Sequence, residues 1–152
     1  MKHARGLETL LIDLLMKHSR KMNLEFWDKA RAYHGHECPG LAIGVKICEA
    51  VVEKMNVSPA FNEELVCITE NDACGVDAIQ ALMNCTIENG NLIYNNNDKQ
   101  VFTVIKYGSG QCMRFSLKIG NKAMERRYYQ EYLLSASVDD LFDCEEVSVP
   151  LP

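Results

Sequence analysis

The hydrophobic positions open with Leu7, Leu10, Leu11, Leu14, Leu15 and His18. This three-and-four spacing predicts an amphipathic helix over residues 1–22. Glu8, Asp13 and Lys17 occupy its other faces. Such a stripe can pack on its own domain or on a second copy of the chain. Asn23 reads as the cap of a second helix, with Glu25 in its first turn and Phe26, Ala30, Tyr33 and His34 on one face. Gly35 ends that helix. Pro39 suits the first position of a third helix, where its missing N–H is no loss. The third helix runs to about Met55 and buries Leu41, Val45, Cys48, Val52 and Met55. Gly40, Gly44 and Cys48 form a second stripe on it. An interior glycine costs about 1 kcal/mol, so Gly44 implies that another backbone approaches closely.

Residues 56–62 form a loop, and residues 65–69 a buried strand. The strand leads into a short helix, about residues 74–83, capped by Asn71 or Asp72 and turning Val76, Ile79, Gln80 and Met83 inward. After Cys85 the pattern becomes β. Residues 91–94, 101–107 and 112–119 read as strands, and Gly108-Ser109-Gly110 links the last two as a hairpin. A final helix over 121–134 and an acidic, extended tail over 135–152 complete one domain.

Composition narrows the function classes. A chain of 152 residues with 47% hydrophobic and 24% charged residues is an ordinary soluble globule. Its net charge of −5 argues against nucleic acid as a partner. No run reaches the ~18 apolar residues of a membrane span. Asp13 interrupts the apolar stretch of the first helix, and no signal-peptide cleavage site follows. The expected location is cytoplasmic. Seven cysteines are many for this length, but none forms a CxxC pair. In a reducing compartment most would be small buried hydrophobes.

The chemistry concentrates in Tyr33-His34-Gly35-His36-Glu37-Cys38-Pro39-Gly40. This stretch holds two of the four histidines and one cysteine. Cys38 falls at a helix cap, facing unpaired N–H groups and the positive end of the helix dipole, and both favour a thiolate. Cys74 occupies a second junction, from strand to helix. Together with Gly44, and with Glu70-Asn71-Asp72-Ala73-Cys74-Gly75-Val76-Asp77-Ala78-Ile79-Gln80, the first motif closely resembles the FmdE family of formylmethanofuran dehydrogenase components. Cys85-Thr86 and Gly90-Asn91-Leu92 continue the likeness, which covers about residues 24–119. The resemblance implies an α+β, FwdE/GAPDH-domain-like fold, with helices on a mixed, mainly antiparallel sheet of about four strands. It also implies a dimer, and a metal site built from the histidine–cysteine motif and the second cysteine. Many members add a C-terminal zinc ribbon, whereas this chain has only Cys144 in that region. The family name associates such domains with a molybdenum or tungsten enzyme, so the other components of a redox enzyme join a second copy as expected partners.

The candidate ligands are His34, His36, Cys38 and Cys74. An extended turn would bring His36 to Cys38, and a helical turn would bring His34. The two geometries compete, so this reading takes His36, Cys38 and Cys74 as ligands and keeps His34 as a further candidate. Asp77, one turn beyond Cys74, could bind, orient a histidine or hold a water. Sulfur and imidazole together suit zinc, or nickel, copper or iron, better than magnesium. A second reading has Cys38 and Cys74 form a reversible disulfide. A third makes the chain a non-catalytic interaction component with a structural metal. The blandest leaves His34 as a helix cap and Cys38 as a buried residue. Cys48, Cys67 and Cys112 read as packing, and Cys85 is open to either reading. Nothing local separates Tyr107 or Arg114 from ordinary sheet residues. There is no serine–histidine–aspartate pattern, phosphate loop or dinucleotide fingerprint.

Overall fold

The N-terminal pattern folds as one helix, not two. In the computed structural model, which describes residues 6–120 and 124–149, α1 (Leu7–His34) runs unbroken for 28 residues. No glycine or proline interrupts residues 7–34, so the expected break at Asn23 has no backbone cause. Asn23 instead sits in the helix interior and donates from Nδ2 to Glu49 Oε2 at 2.8 Å. It ties α1 to α2 (Pro39–Met55) rather than capping anything.

Helix α2 is the centre of the fold: α1, α3 (Gly75–Met83), α4 (Arg126–Ser135) and α5 (Val138–Leu141) all pack on it. Its apolar side chains join one core with Phe26, Trp27 and Ala30 of α1 and with Phe102, Val104 and Phe115 of the sheet. Gly44 is the closest point. A Cβ there would stand 2.3 Å from Gly75 O and 2.8 Å from the Ala78 Cβ. The expected close backbone approach is therefore that of α3. The inward face of α3 is Ala78, Ile79, Leu82 and Met83, while Val76 and Gln80 are only half-buried. Asn71 does not cap the helix. Its Oδ1 accepts from Ala73 N at 3.0 Å, one turn earlier.

The sheet has five strands in the order β2-β1-β3-β4-β5. They are β1 (Leu65–Thr69), β2 (Leu92–Tyr94), β3 (Val101–Lys106), β4 (Cys112–Leu117) and β5 (Phe142–Glu146). β1 and β2 are parallel and the other pairs antiparallel, so the α+β class with a mixed, mainly antiparallel sheet is correct. Leu65, Cys67 and Thr69 are buried and alternate with half-buried Val66 and Ile68. One face of the sheet thus meets the helices and the other is more open.

The fifth strand corrects the expectation of about four. The segment read as an extended acidic tail contains α5 and β5. Buried Val138, Leu141 and Phe142 were hidden among Asp139, Asp140 and Asp143. An edge strand with one face in the core alternates, and its outward acidic residues dominated the composition. The final helix starts at Arg126, later than expected. Residues 121–123 of the predicted helix and 150–152 of the predicted tail lie outside the described residues, as do residues 1–5 of the first helix.

Candidate metal site

Gly35 makes the turn on which the site depends. Its φ of +93° is left-handed, and its N–H returns to Arg31 O at 2.8 Å, which closes α1. The chain then doubles back through His36 and Glu37 into α2. Cys38 is extended, with φ −160° and ψ 159°, and serves as the N-cap of α2. Its Sγ accepts the Leu41 N–H at 3.4 Å, and the residue is buried. A sulfur acceptor in this position meets a helix donor that would otherwise be unpaired, and negative charge there is favoured by the dipole.

His34 stands in the last turn of α1 with both nitrogens engaged. Nδ1 lies 2.6 Å from Asp77 Oδ2, and Nε2 lies 3.8 Å from Cys38 Sγ. Asp77 in turn accepts from Gln80 Nε2 at 3.3 Å. An Nδ1–H donated to Asp77 leaves the Nε2 lone pair aimed at the sulfur, the orientation a metal-binding imidazole needs. The His36 ring packs beside that of His34, with centroids 4.3 Å apart. One ligand atom from each of His34, His36 and Cys38 falls within 4.8 Å of the others.

His34 stands 3.8 Å from the Cys38 sulfur, and a ligand atom of His36 lies within 4.8 Å of both. The left-handed turn at Gly35 leaves His34 on the helix and His36 beside it. Cys74 lies outside this three-residue group and across the α2–α3 contact. Its Sγ is 3.8 Å from where a Cβ of Gly40 would stand. Burial first, then the neighbouring Cys38 thiol and Asp77, push the Cys74 thiol above its usual range. Unlike Cys38, it receives no side-chain capping bond at its helix terminus. Asp77 stands within hydrogen-bond distance of His34 Nδ1, a position from which it could orient that ring.

Glu37 and Arg31 brace the turn. Arg31 reaches Glu37 at 3.4 Å, and Gln130 Nε2 donates to Glu37 Oε1 at 3.3 Å, which fastens α4 to the motif. Sequence reasoning missed Gln130, since nothing local connects it to a turn more than ninety residues earlier. The remaining cysteines behave as packing. Cys48, Cys67 and Cys85 share one buried cluster, and the Cys85 thiol, pushed up to about 12 by burial, is neutral. Glu70 pairs with Arg114 at 3.7 Å and accepts from Asn97 at 2.9 Å, and Tyr107 is exposed. These residues lie apart from the three-residue group.

One edge of the donor set has the spacing of a tetrahedral centre for a thiophilic metal ion. With Zn–S near 2.3 Å and Zn–N near 2.0–2.1 Å, imidazole nitrogen and thiolate sulfur stand about 3.6 Å apart. The His34–Cys38 separation of 3.8 Å matches this edge. His36 is exposed and free to adjust.

An α+β domain with a histidine–cysteine cluster at a helix junction defines the class as a protein with a candidate site for a thiophilic metal ion. The chain belongs to the family described as "FmdE, Molybdenum formylmethanofuran dehydrogenase operon", which it matches over residues 33–141. This range starts later and ends later than the expected 24–119, and it takes in α4 and α5. A curated relative, a "Probable S-adenosyl-L-methionine-binding protein" of Archaeoglobus fulgidus, is 28% identical over 110 residues. That match covers 70% of this chain and 29% of the relative, so the chain spans under a third of that protein's length. A tungsten formylmethanofuran dehydrogenase FmdE-like protein from Syntrophus aciditrophicus shares the fold. Its TM-score is 0.64 at 23% identity, covering 84% of this chain and 73% of the other. Among the described residues, no helix is long and apolar enough to cross a membrane.

Proposed function

We propose that the chain binds a thiophilic transition metal, zinc before nickel or iron, through His34, His36 and Cys38. In this reading Asp77 orients His34, and Cys74 approaches from the α3 side as a fourth donor or as the border of an open position. The observation that carries it is the convergence of three ligand atoms within 4.8 Å, one of them on a histidine already held by a carboxylate. Bound there, the ion would act as a Lewis acid or hold the α1–α2 turn to α3. The cellular role is accessory, in molybdenum or tungsten redox metabolism, as the family description suggests, in a cytoplasmic protein.

Metal content by plasma mass spectrometry tests this, on protein purified without chelator. Near-stoichiometric zinc is expected in the wild type and loss of it in Cys38→Ser and His34→Ala. Wild type without metal that also fails to take up zinc in titration would overturn the reading. The same assay on Cys74→Ser tells a fourth ligand from a bordering residue.

A second reading follows from the Cys38–Cys74 neighbourhood itself. Two thiols this close, one at a helix N-terminus, could cycle to a disulfide with an external disulfide as oxidant. Two protons and two electrons would leave the pair, and the oxidant would be reduced to thiols. Metal-free wild type that yields a Cys38–Cys74 disulfide would favour this reading. A purely structural metal in a non-catalytic interaction component would leave metal content as above and no reaction to find.

A further inference from the structure

Lys46 and Glu49, about one turn apart on α2, are 2% and 7% exposed. Lys46 Nζ meets Glu49 Oε2 at 3.0 Å and donates to Ala136 O at 2.8 Å. The same Glu49 oxygen accepts from Asn23 Nδ2 at 2.8 Å. The other oxygen, Oε1, has no hydrogen-bond partner among the described residues. It is not sealed in, since Arg31 Nε is the one enclosed side-chain atom without a partner among them. A buried ion pair is a poor stabilising device, because desolvation offsets most of its attraction. The other buried residues of α2 are apolar, so a charged pair among them invites a use other than folding.

Both charges line a pocket of about 980 Å³ between α1 and α4, at the upper end of the ~300–1,000 Å³ usual for small-molecule sites. Met16 and Leu24 of α1 make one wall, and Tyr128 and Tyr132 of α4 the other. Tyr128 is 70% exposed, so the core does not claim its ring. Glu53 and Glu131 also line the pocket, with Arg20 as the base beside them. Three glutamates against Arg20 and Lys46 sum to a charge of −1. Lys54 and Arg127, which pair with Glu53 and Glu131, stand beyond the lining, and solvent-exposed pairs of this kind contribute little.

We propose that this pocket binds a small organic cation, a protonated primary amine carried on an aromatic or aliphatic body. The ammonium donates to Glu49 Oε1, and the body lies between the tyrosines and the Met16–Leu24 wall. A carboxylate oxygen sheltered from water makes a strong charge-assisted hydrogen bond, and tyrosine rings attract a cation at their faces. An apolar side chain seated in the pocket would leave Oε1 without a donor, and a carboxylate ligand would be repelled by it. The inference is independent of the metal site: about three turns of α1, roughly 16 Å, separate Asn23 from His34.

An NMR titration of the full chain tests it, with tryptamine as the probe beside its anionic counterpart indole-3-acetate and its neutral counterpart tryptophol. Tryptamine should give saturable shifts at Asn23, Glu49 and Tyr132, with a Kd on the order of 1 mM or below for a molecule of its size. Both counterparts should bind at least about 10-fold more weakly, the worth of one charged hydrogen bond. Glu49→Gln keeps an oxygen for Asn23 and Lys46 and should weaken tryptamine about 10–100-fold. Tyr128→Ala removes an exposed ring and should weaken it about 2–5-fold, which decides the matter even where Glu49→Gln fails to fold. No saturable shift in the pocket up to about 10 mM tryptamine, indole-3-acetate bound as tightly, or an affinity unchanged in Tyr128→Ala or in folded Glu49→Gln would overturn the proposal. Cys38→Ser should bind tryptamine as wild type does, so that failure here and failure of the metal reading are told apart.

Discussion

Replacing Gly44 with alanine puts opposing forces on one methyl group. Alanine is the better helix former, and on propensity alone the change should stabilise α2 by about 1 kcal/mol. The new Cβ, however, would lie 2.3 Å from Gly75 O, 2.7 Å from Gly75 Cα and 2.8 Å from Ala78 Cβ. Carbon atoms pack best at about 3.5–4.0 Å, so α2 and α3 would have to part by roughly 1 Å. Two of the three obstructing atoms are backbone, so no rotamer change relieves them. The cost should sit at or above the upper end of the ~1–3 kcal/mol typical of overpacking. The net effect is a loss of about 2 kcal/mol, which in a domain of this size lowers Tm by roughly 4–8 °C. The same displacement moves Asp77 and Cys74, carried by α3, away from His34 and Cys38. Urea unfolding should therefore show the lower midpoint, and a zinc competition titration should show weaker binding. Gly108→Ala, where an added Cβ meets nothing within 4 Å, serves as the control. A Gly44→Ala protein as stable as wild type or more so would refute the close α2–α3 contact.

Three further outcomes are expected. Asp77→Asn should lower zinc affinity by about 10–100-fold in competition with a chromophoric chelator while leaving the fold intact, and unchanged affinity would remove Asp77 from its orienting role. Burial pushes the Cys48, Cys67 and Cys85 thiols up, the last to about 12. The unfolded chain thus releases these protons first, from about pH 8.5. Stability conferred by the neutral buried thiols is complete below that pH and falls as pH rises toward the folded values, at up to ~1.4 kcal/mol per pH unit for each thiol. Urea midpoints at stepped alkaline pH should show this slope, reduced in Cys67→Ala, and a flat profile to pH 10 would contradict it. Lys46→Ala should cost about 3–5 kcal/mol by leaving Glu49 charged and buried without its partner. Lys46→Met/Glu49→Leu should recover much of that loss, and a double variant no better than the single would show that the charges themselves are not the cause.

Local chemistry made much of this molecule readable in advance. Pro39 after Cys38, and Gly35 after His34, fix two helix ends by backbone rules that no tertiary contact overrides, and Cys38 falls where those rules place it, whereas Cys74, expected behind a cap at Asn71 or Asp72, is itself the residue that precedes α3. Gly44 was informative because an interior glycine has a known cost and so requires a reason. Features that depend on distant partners were not readable. The Asn23 side chain resembles a cap until Glu49, in another helix, is seen to accept from it. The two histidines compete on spacing alone, which treats helix and extended turn as alternatives, whereas the left-handed residue between them leaves their rings side by side. Val138, Leu141 and Phe142 were too sparse among acidic neighbours to register as core.

The acidic final strand also bears on how the molecule avoids aggregation. A sheet edge is an open row of amide and carbonyl groups that can recruit a strand from another molecule. β2 limits that hazard at one edge by being only three residues long. At the other edge, β5 covers the apolar β4 and presents Asp143, Glu145 and Glu146 outward, in register with Ser116, Arg114 and Met113. Without it, the sequence Cys112-Met113-Arg114-Phe115-Ser116-Leu117 would become a six-residue edge with a single charge. The C-terminal segment thus acts as a guard strand, and trimming the chain before residue 138 should send it into aggregates before any ligand chemistry could be measured.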